Sequence, residues 1–196
     1  MAVAENNLPM IALRLTFSAL LFSTTIAFSQ IDSGCSKVYS TYQDFKSDKA
    51  LFTANTAVNH SISSSKRFIK IFRNDSLISK FKHGEIYSYC FNGVLYRYYD
   101  SPDVPFTGYL KIVDTTGLII YSRYENKGRW FQTVYYYSLG LQSRLQALTL
   151  ENLKLDFIDH SSFIDAIRNQ SKWMSKEING MTKINSLYKQ SQTFKH

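Results

Sequence analysis

Asn92-Gly93 stands between two runs that alternate residue by residue, 85–91 and 94–100. A two-residue type I′ turn needs positive φ at both central positions, and Asn-Gly accepts that best. Such a turn leaves one register. Phe91 faces Val94, Cys90 faces Leu95, Tyr89 faces Tyr96, and Ser88 faces Arg97. Continued outward, Tyr87 faces Tyr98 and Ile86 faces Tyr99. One face then carries an aromatic field of Tyr87, Tyr89, Tyr96 and Tyr98, and the other a smaller mixed set. Cross-strand aromatic pairs contribute a few tenths to ~1 kcal/mol each. The field is either core covered by helices or a flat platform for sugar rings and aromatic ligands, the core being the commoner fate of such rings. As core, Tyr89→Ala is expected to cost more stability than Tyr121→Ala, because Tyr89 has a tyrosine across the strand.

The same period of two recurs along the middle of the chain. "RFIKIF" (67–72) and "LISKFK" (77–82) flank the turn residues Asn74-Asp75-Ser76, and His83-Gly84 turns next. Segments 105–114 and 118–125 form a second hairpin around Thr115-Thr116-Gly117. Asn126-Lys127-Gly128 leads into a further strand that Gly140 ends. Residues 59–66 are polar and read as a loop, and Thr41-x-x-Asp44 caps a short helix. After Leu148 the period becomes helical. Thr149 caps a first helix and Ser162 a second bearing Phe163, Ala166 and Ile167. Trp173, Met174 and Ile178 continue the apolar stripe, and Ile184, Leu187 and Tyr188 end it. The expectation is an α+β fold: an antiparallel β-meander of five to seven strands over about 66–148, with C-terminal helices over about 149–190 packed on one face or edge. Residues 30–196 form a single domain, long enough for its own core.

The beginning of the chain has a different character. Arg14 precedes an apolar run from Leu15 to Ile26, and Ala27-Phe28-Ser29 supplies small residues where a signal peptidase cuts. Residues 1–29 read as a cleaved secretory signal, with Met10 as an alternative start. The run is short for a membrane span, so no transmembrane segment is expected in the mature chain. The protein is expected to be exported, to the periplasm or the extracellular space. Cys35 has three fates. It can carry a lipid, although Asp32 and the offset from the apolar run suit lipoprotein processing badly. It can remain a thiol. It can pair with Cys90, the only other cysteine, in an oxidising compartment. That bridge would close a long loop, worth about 4 kcal/mol in the chain-entropy model.

Net charge is +8, and removal of residues 1–29 takes one basic and one acidic residue, Arg14 and Glu5, leaving it unchanged. A basic surface invites anionic partners, but the commoner use of such charge is plain solubility, so the partner is open and an anionic or glycan ligand is one reading of it. Arg97, Lys111, Arg123 and Arg129 interleave with strand aromatics, as in single-strand nucleic-acid binders, but export argues against that partner. The chain has no G-x-S-x-G elbow and no H-E-x-x-H. His60, His83, His160 and His196 lack partners at metal spacing. Asp156 and Asp159-His160 form the one acid–histidine cluster, at a helix end, where Asp159 and Ser161 suit capping. No catalytic residue, cofactor or metal is assigned. The reading is a non-enzymatic envelope protein, an interaction or ligand-binding module. The alternatives are a small hydrolase whose site is assembled from distant residues, marked by a pocket holding a histidine or carboxylate pair, and a barrel-like carrier of an apolar ligand.

Three stretches stand in order along the chain: Val38-Tyr39-Ser40-Thr41-Tyr42-Gln43-Asp44-Phe45, Tyr89-Cys90-Phe91-Asn92-Gly93-Val94-Leu95-Tyr96, and Leu148-Thr149-Leu150-Glu151-Asn152-Leu153. In this combination the chain resembles a family of secreted proteins of Bacteroidota without assigned activity. The resemblance implies export and an α+β domain, and it supplies no catalytic residues.

Overall fold

The structure is a computed structural model that describes residues 36–54, 60–65, 67–100, 102, 104, 106–126, 128–170, 172–174 and 180–193. The leader, Cys35, Lys127, Ile178 and His196 lie outside the described residues. In chain order the elements are β1 (Lys37–Tyr39), α1 (Tyr42–Lys46), β2 (Phe52–Thr53), β3 (His60–Ser64), β4 (Phe68–Arg73), β5 (Ser76–Lys82), β6 (Ser88–Phe91) and β7 (Val94–Asp100). Then come β8 (Thr107–Asp114), β9 (Ile119–Asn126), β10 (Phe131–Ser138), β11 (Gln146–Ala147), α2 (Leu150–Asp156), α3 (Ser161–Arg168) and α4 (Lys183–Thr193). The fold is α+β, antiparallel in its sheets, with the helices at the C-terminal end. Its strands outnumber the meander read from the sequence and divide into two sheets. One has eight strands in the order β11-β10-β9-β8-β7-β6-β1-β2, and the other has three, β3-β4-β5.

The Asn92-Gly93 turn forms with φ of 49° and 73°, and the register runs from Phe91↔Val94 through Ser88↔Arg97. There β6 ends. Tyr87 leaves the ladder, its N–H bonding to the carbonyls of Tyr39 and Ser40 while its own carbonyl still accepts from the Tyr98 N–H. The β4–β5 turn puts Asn74 and Asp75 at positive φ, 48° and 64°. The polar stretch expected as a loop contains β3, which pairs with β4 from His60↔Arg73 to Ser64↔Ile69. Serine-rich residues carry little strand preference, so packing of Ile62 on the core supplies what the local sequence lacks.

Strand alternation divides the large sheet into two faces. One face bears Tyr89, Tyr96, Tyr98 and Tyr109, then Ser122, Ile120, Tyr135 and Tyr137 farther along. The small sheet covers one half of this face, where Ile62, Ile69 and Ile71 meet Val38, Ile86 and Tyr89. The helices cover the other half, where Leu153, Phe157, Phe163, Ile164, Ile167 and Ile184 meet Leu118, Ile120 and Tyr137. On the opposite face Tyr99, Leu110, Ile119, Tyr121 and Tyr136 pack under Val104, Leu141, Leu145 and α1.

The caps follow local chemistry unevenly. Thr41 accepts from the Asp44 N–H and Thr149 from the Asn152 N–H, as their sequences indicate. The α3 cap falls on His160, whose side chain makes no capping bond, rather than on Asp159, Ser161 or Ser162. Two buried polar side chains tie α4 to the sheet. The Asp114 carboxylate accepts from the backbone N–H and hydroxyl of Thr116 and of Thr182, at 2.6–2.9 Å. Asn185 takes the Leu118 N–H and donates to the Leu118 carbonyl, both at 2.8 Å, as a neighbouring strand would. Gly117 makes room for this joint: a Cβ there would meet the Tyr188 ring at 3.0 Å and the Asn185 Oδ1 at 3.1 Å.

Candidate functional site

A cleft of about 710 Å³ opens beside the aromatic ladder, between the large sheet and the end of the small one. Its large-sheet wall includes Tyr89, Phe91, Tyr96 and Tyr109; Ile62, Ser64 and His83 line it from the small-sheet side, and Phe106, Gly108 and Arg123 complete it. The Asn-Gly turn is what builds the main wall. By fixing the register it lays Tyr89 on Tyr96, ring centroids 4.8 Å apart and planes within 12° of parallel. Tyr109 meets Tyr89 edge to face at 5.0 Å and donates its hydroxyl to the Ile86 carbonyl at 2.8 Å.

Burial separates these rings. Tyr89 is core, while Phe91, Tyr96, Tyr109 and Phe106 keep part of their surface open to the cleft. Desolvation raises the Tyr89 hydroxyl pKa to about 12 and that of Tyr96 upward as well, so both stay neutral donors across the physiological range. Arg123, which alternates to the other side of β9 from Ser122, joins the lining beside Phe106 and Gly108, its guanidinium carbon 4.2 Å from the Phe106 centroid, a cation held over an aromatic face. His83 packs its ring on Tyr109 at 5.1 Å and Tyr98 at 6.2 Å. Burial lowers its pKa and favours the neutral ring; its Nε2 is enclosed without a hydrogen-bond partner. Gly108, at φ +147°, leaves open space where a Cβ would stand.

Of the four tyrosines read as one field, Tyr89 and Tyr96 line the cleft together. Tyr98 stands beside them, 5.3 Å from Tyr109, with the His83-Gly84 turn against its ring. Tyr87 is not in the field. It lies on the opposite face, 5.7 Å from Tyr42 and 6.0 Å from Phe45, because β6 starts only at Ser88 and the residue before it is free to turn over. Tyr109, Phe106 and Arg123 join the site from β8, its approach and β9. The first hairpin's register reaches none of them, and the stretch after Asp100 has no two-residue turn that would fix the next one.

The four interleaved cations do not share a surface. Arg97 is buried on the face opposite the ladder, its Nη1 donating to the hydroxyls of Tyr99 (2.6 Å) and Tyr121 (2.9 Å), and its guanidinium carbon 4.3 Å from the Tyr99 ring centroid. Lys111 and Arg129 are exposed, Lys111 as the register partner of Tyr96 and Arg129 at the β9–β10 turn, and of the four only Arg123 is among the residues that line the cleft. Cys90 is buried in β6. Asp156 accepts from the Tyr137 hydroxyl at 2.7 Å and from Gln146 Nε2 at 2.6 Å, a bond set that ties α2 to the sheet. Among the described residues, no three His, Cys, Asp or Glu side chains gather at metal-holding distance, and no helix is long and apolar enough to cross a membrane.

The cleft can therefore stack a flat ring on half-open aromatics and place one fixed cation beside it. No protein-family model, no curated protein and no solved structure matches this chain.

Proposed function

We propose that this chain is an exported, non-enzymatic ligand-binding module of the cell envelope, and that its ligand is an acidic glycan held in the aromatic cleft. The observation that carries the reading is the pairing of open Tyr96 and Phe91 rings with Arg123 in one concavity. Sugar rings present C–H faces that lie well on aromatic planes, and a uronate carboxylate suits a guanidinium. The lining holds one histidine, His83, and no carboxylate or serine nucleophile paired with it, which favours binding over hydrolysis. The apolar-carrier reading draws less support, because the large sheet runs open from β11 to β2 and the cleft has polar walls.

Calorimetric titration with polygalacturonate and alginate oligosaccharides, against neutral cello-oligosaccharides, tests it. Uronate chains are expected to bind more tightly than neutral ones. Tyr96→Ala should weaken both, by about tenfold for a lost stacking contact worth ~1 kcal/mol or somewhat more. Arg123→Gln should abolish the preference while leaving neutral binding. Absence of binding to every oligosaccharide, with the protein folded, removes the reading.

Export carries a covalent corollary. We propose that Cys35 pairs with Cys90 rather than carrying a lipid. Lys37, two residues beyond Cys35, is the register partner of Cys90 in the β1–β6 pair. Two residues of chain span at most about 7 Å, so Cys35 lies close in the chain to the strand that pairs with Cys90, and the bridge requires the two Cα atoms to come within about 7 Å. Peptide mapping of exported protein without reduction should return a linked 35–90 pair. Two alkylatable thiols, or a diacylglyceryl group on an N-terminal Cys35, would refute the bridge.

A further inference from the structure

The β9–β10 hairpin continues past the body of the sheet. β9 pairs with β8 only up to Ser122↔Lys111, and β11 pairs with β10 only at Tyr136 and Tyr137. Among the described residues, 123–126 and 131–134 pair with each other alone, as a two-stranded ribbon. The ribbon is held from one side. On that side Arg123 stacks on Phe106, and Glu125 accepts from the Tyr136 hydroxyl at 3.2 Å. The register puts Tyr124 and Phe131 on the other side, as diagonal neighbours, and Trp130 precedes Phe131 at the turn.

These three rings are 78%, 74% and 64% exposed, the most open aromatic side chains the structure describes. They are not scattered. They occupy one end of one hairpin, and that end also carries exposed Arg129. The same side of the ribbon leads into a groove of about 590 Å³ lined by Thr133, Tyr135, Trp173, Met174 and the exposed Lys172. Both ring nitrogen and backbone fix this groove's floor, since Trp173 Nε1 donates to the Ile167 and Gln170 carbonyls.

We infer that the ribbon is a membrane-docking element, which seats Tyr124, Trp130 and Phe131 at the headgroup level of an anionic lipid surface. Three considerations select this occupant. Tyrosine and tryptophan pair an apolar ring with a polar edge, which suits the boundary between acyl chain and water. The flanking cations Arg129 and Lys172, on a chain of net charge +8, complement phosphate headgroups. The area also decides against a protein partner. Three rings at this exposure offer on the order of 400 Å², about half of what each partner contributes to a stable protein interface. This docking is independent of the cleft.

The test uses the full chain and its two tryptophans, Trp130 and Trp173. Residues 1–35 contain no tryptophan, so the leader adds nothing to the signal. Vesicles of phosphatidylcholine mixed equally with phosphatidylglycerol should shift the emission to the blue and protect it from acrylamide. Phosphatidylcholine alone should not, and Trp130→Phe should lose the response. The double variant Tyr124→Ser with Phe131→Ser, which changes only exposed side chains and is checked for folding by circular dichroism, should lose it too. Arg129→Gln should weaken partitioning about fivefold, and added salt should weaken it in the wild type. An emission unmoved by anionic vesicles at low salt overturns the inference, as does a shift that survives the double variant. A dimer on gel filtration that the double variant abolishes would assign the patch to a second copy instead.

Discussion

Tyr121 shows how far a single side chain departs from its local sequence. It sits in β9 with no partner that the chain order reveals, yet it is fully buried. Its hydroxyl accepts from Arg97 and shares a 3.0 Å bond with Ser138, whose own hydroxyl reaches the Gly140 carbonyl. Its ring stands edge-on to Tyr99 at 5.6 Å. The expected ranking of truncations is therefore reversed. Tyr121→Ala should cost about 4 kcal/mol and Tyr89→Ala about 3 kcal/mol, since Tyr121 loses both a buried ring and a support of a buried guanidinium. Tyr121→Phe isolates the second part and should cost about 1–2 kcal/mol. Urea denaturation of the three variants measures the order, and a Tyr89→Ala loss exceeding that of Tyr121→Ala would contradict it. Arg97 was legible as a cation in an aromatic strand, but its burial was not. Which face of a two-sided sheet is covered on both sides depends on segments remote in sequence, here α1 and residues 139–146.

Elements were legible in proportion to how local their causes are. The Asn92-Gly93 hairpin, the capped starts of α1 and α2 and the 3.6 pattern of α3 all rest on contacts within a few residues, and all are present. β1, β2 and β11 are two or three residues long and exist because a neighbour offers an edge, which no window of sequence shows. β3 is a serine-rich strand for the same reason. The tyrosine ladder was half legible: the pairs within the hairpin were, but its cover is the small sheet and not the helices. The joint of α4 to the sheet had no signal at all, since Asn185 imitates a strand across 67 residues. Asn185→Ala would leave the Leu118 N–H and carbonyl buried without partners. It should cost about 2–4 kcal/mol and release α4 first. Hydrogen exchange is expected to show α4 and Leu118 losing protection together, before β6–β7. Uniform loss across the sheet would argue against a separable joint.

Across the whole molecule, burial and hydrogen bonding shift several titrating groups, and their signs set how stability follows pH. Burial pushes the Asp114 carboxyl up, but the hydrogen bonds from Thr116 and Thr182 outweigh it and hold the pKa below 3.8. A depressed folded value gives stability that is present above the unfolded pKa and lost as pH falls through the folded one. His83, lowered by burial from 6.5, acts with the same sign at higher pH. The tyrosines act oppositely. Desolvation raises Tyr87, Tyr89 and Tyr136 to about 12 from 10.0, and Tyr99, Tyr109 and Tyr137 rise too. Their contribution is complete below pH 10 and disappears as pH climbs through the folded values. Melting temperature should thus be flat between about pH 6.5 and 10, decline gradually below that range, fall further below about pH 4, and drop steeply above about pH 10. Scanning calorimetry across this range measures the profile, and a melting temperature that still rises above pH 10 would contradict it.

The strand order holds one consequence for how the chain is made. β1 is the first described element, but its place is between β2 and β6, and β6 begins 49 residues after β1 ends. During synthesis from the N-terminus, β1 leaves the ribosome long before the strand it needs. Until Phe91 has emerged it can pair only with two-residue β2, too small a unit to hold alone. The small sheet waits as well, because its apolar side closes on Ile86 and Tyr89. Pairing of β1 and closure of the small sheet are thereby deferred until β6, which ends at Phe91, has been made. A nascent chain that stays open so long remains threadable, and the export proposed above would make direct use of that interval.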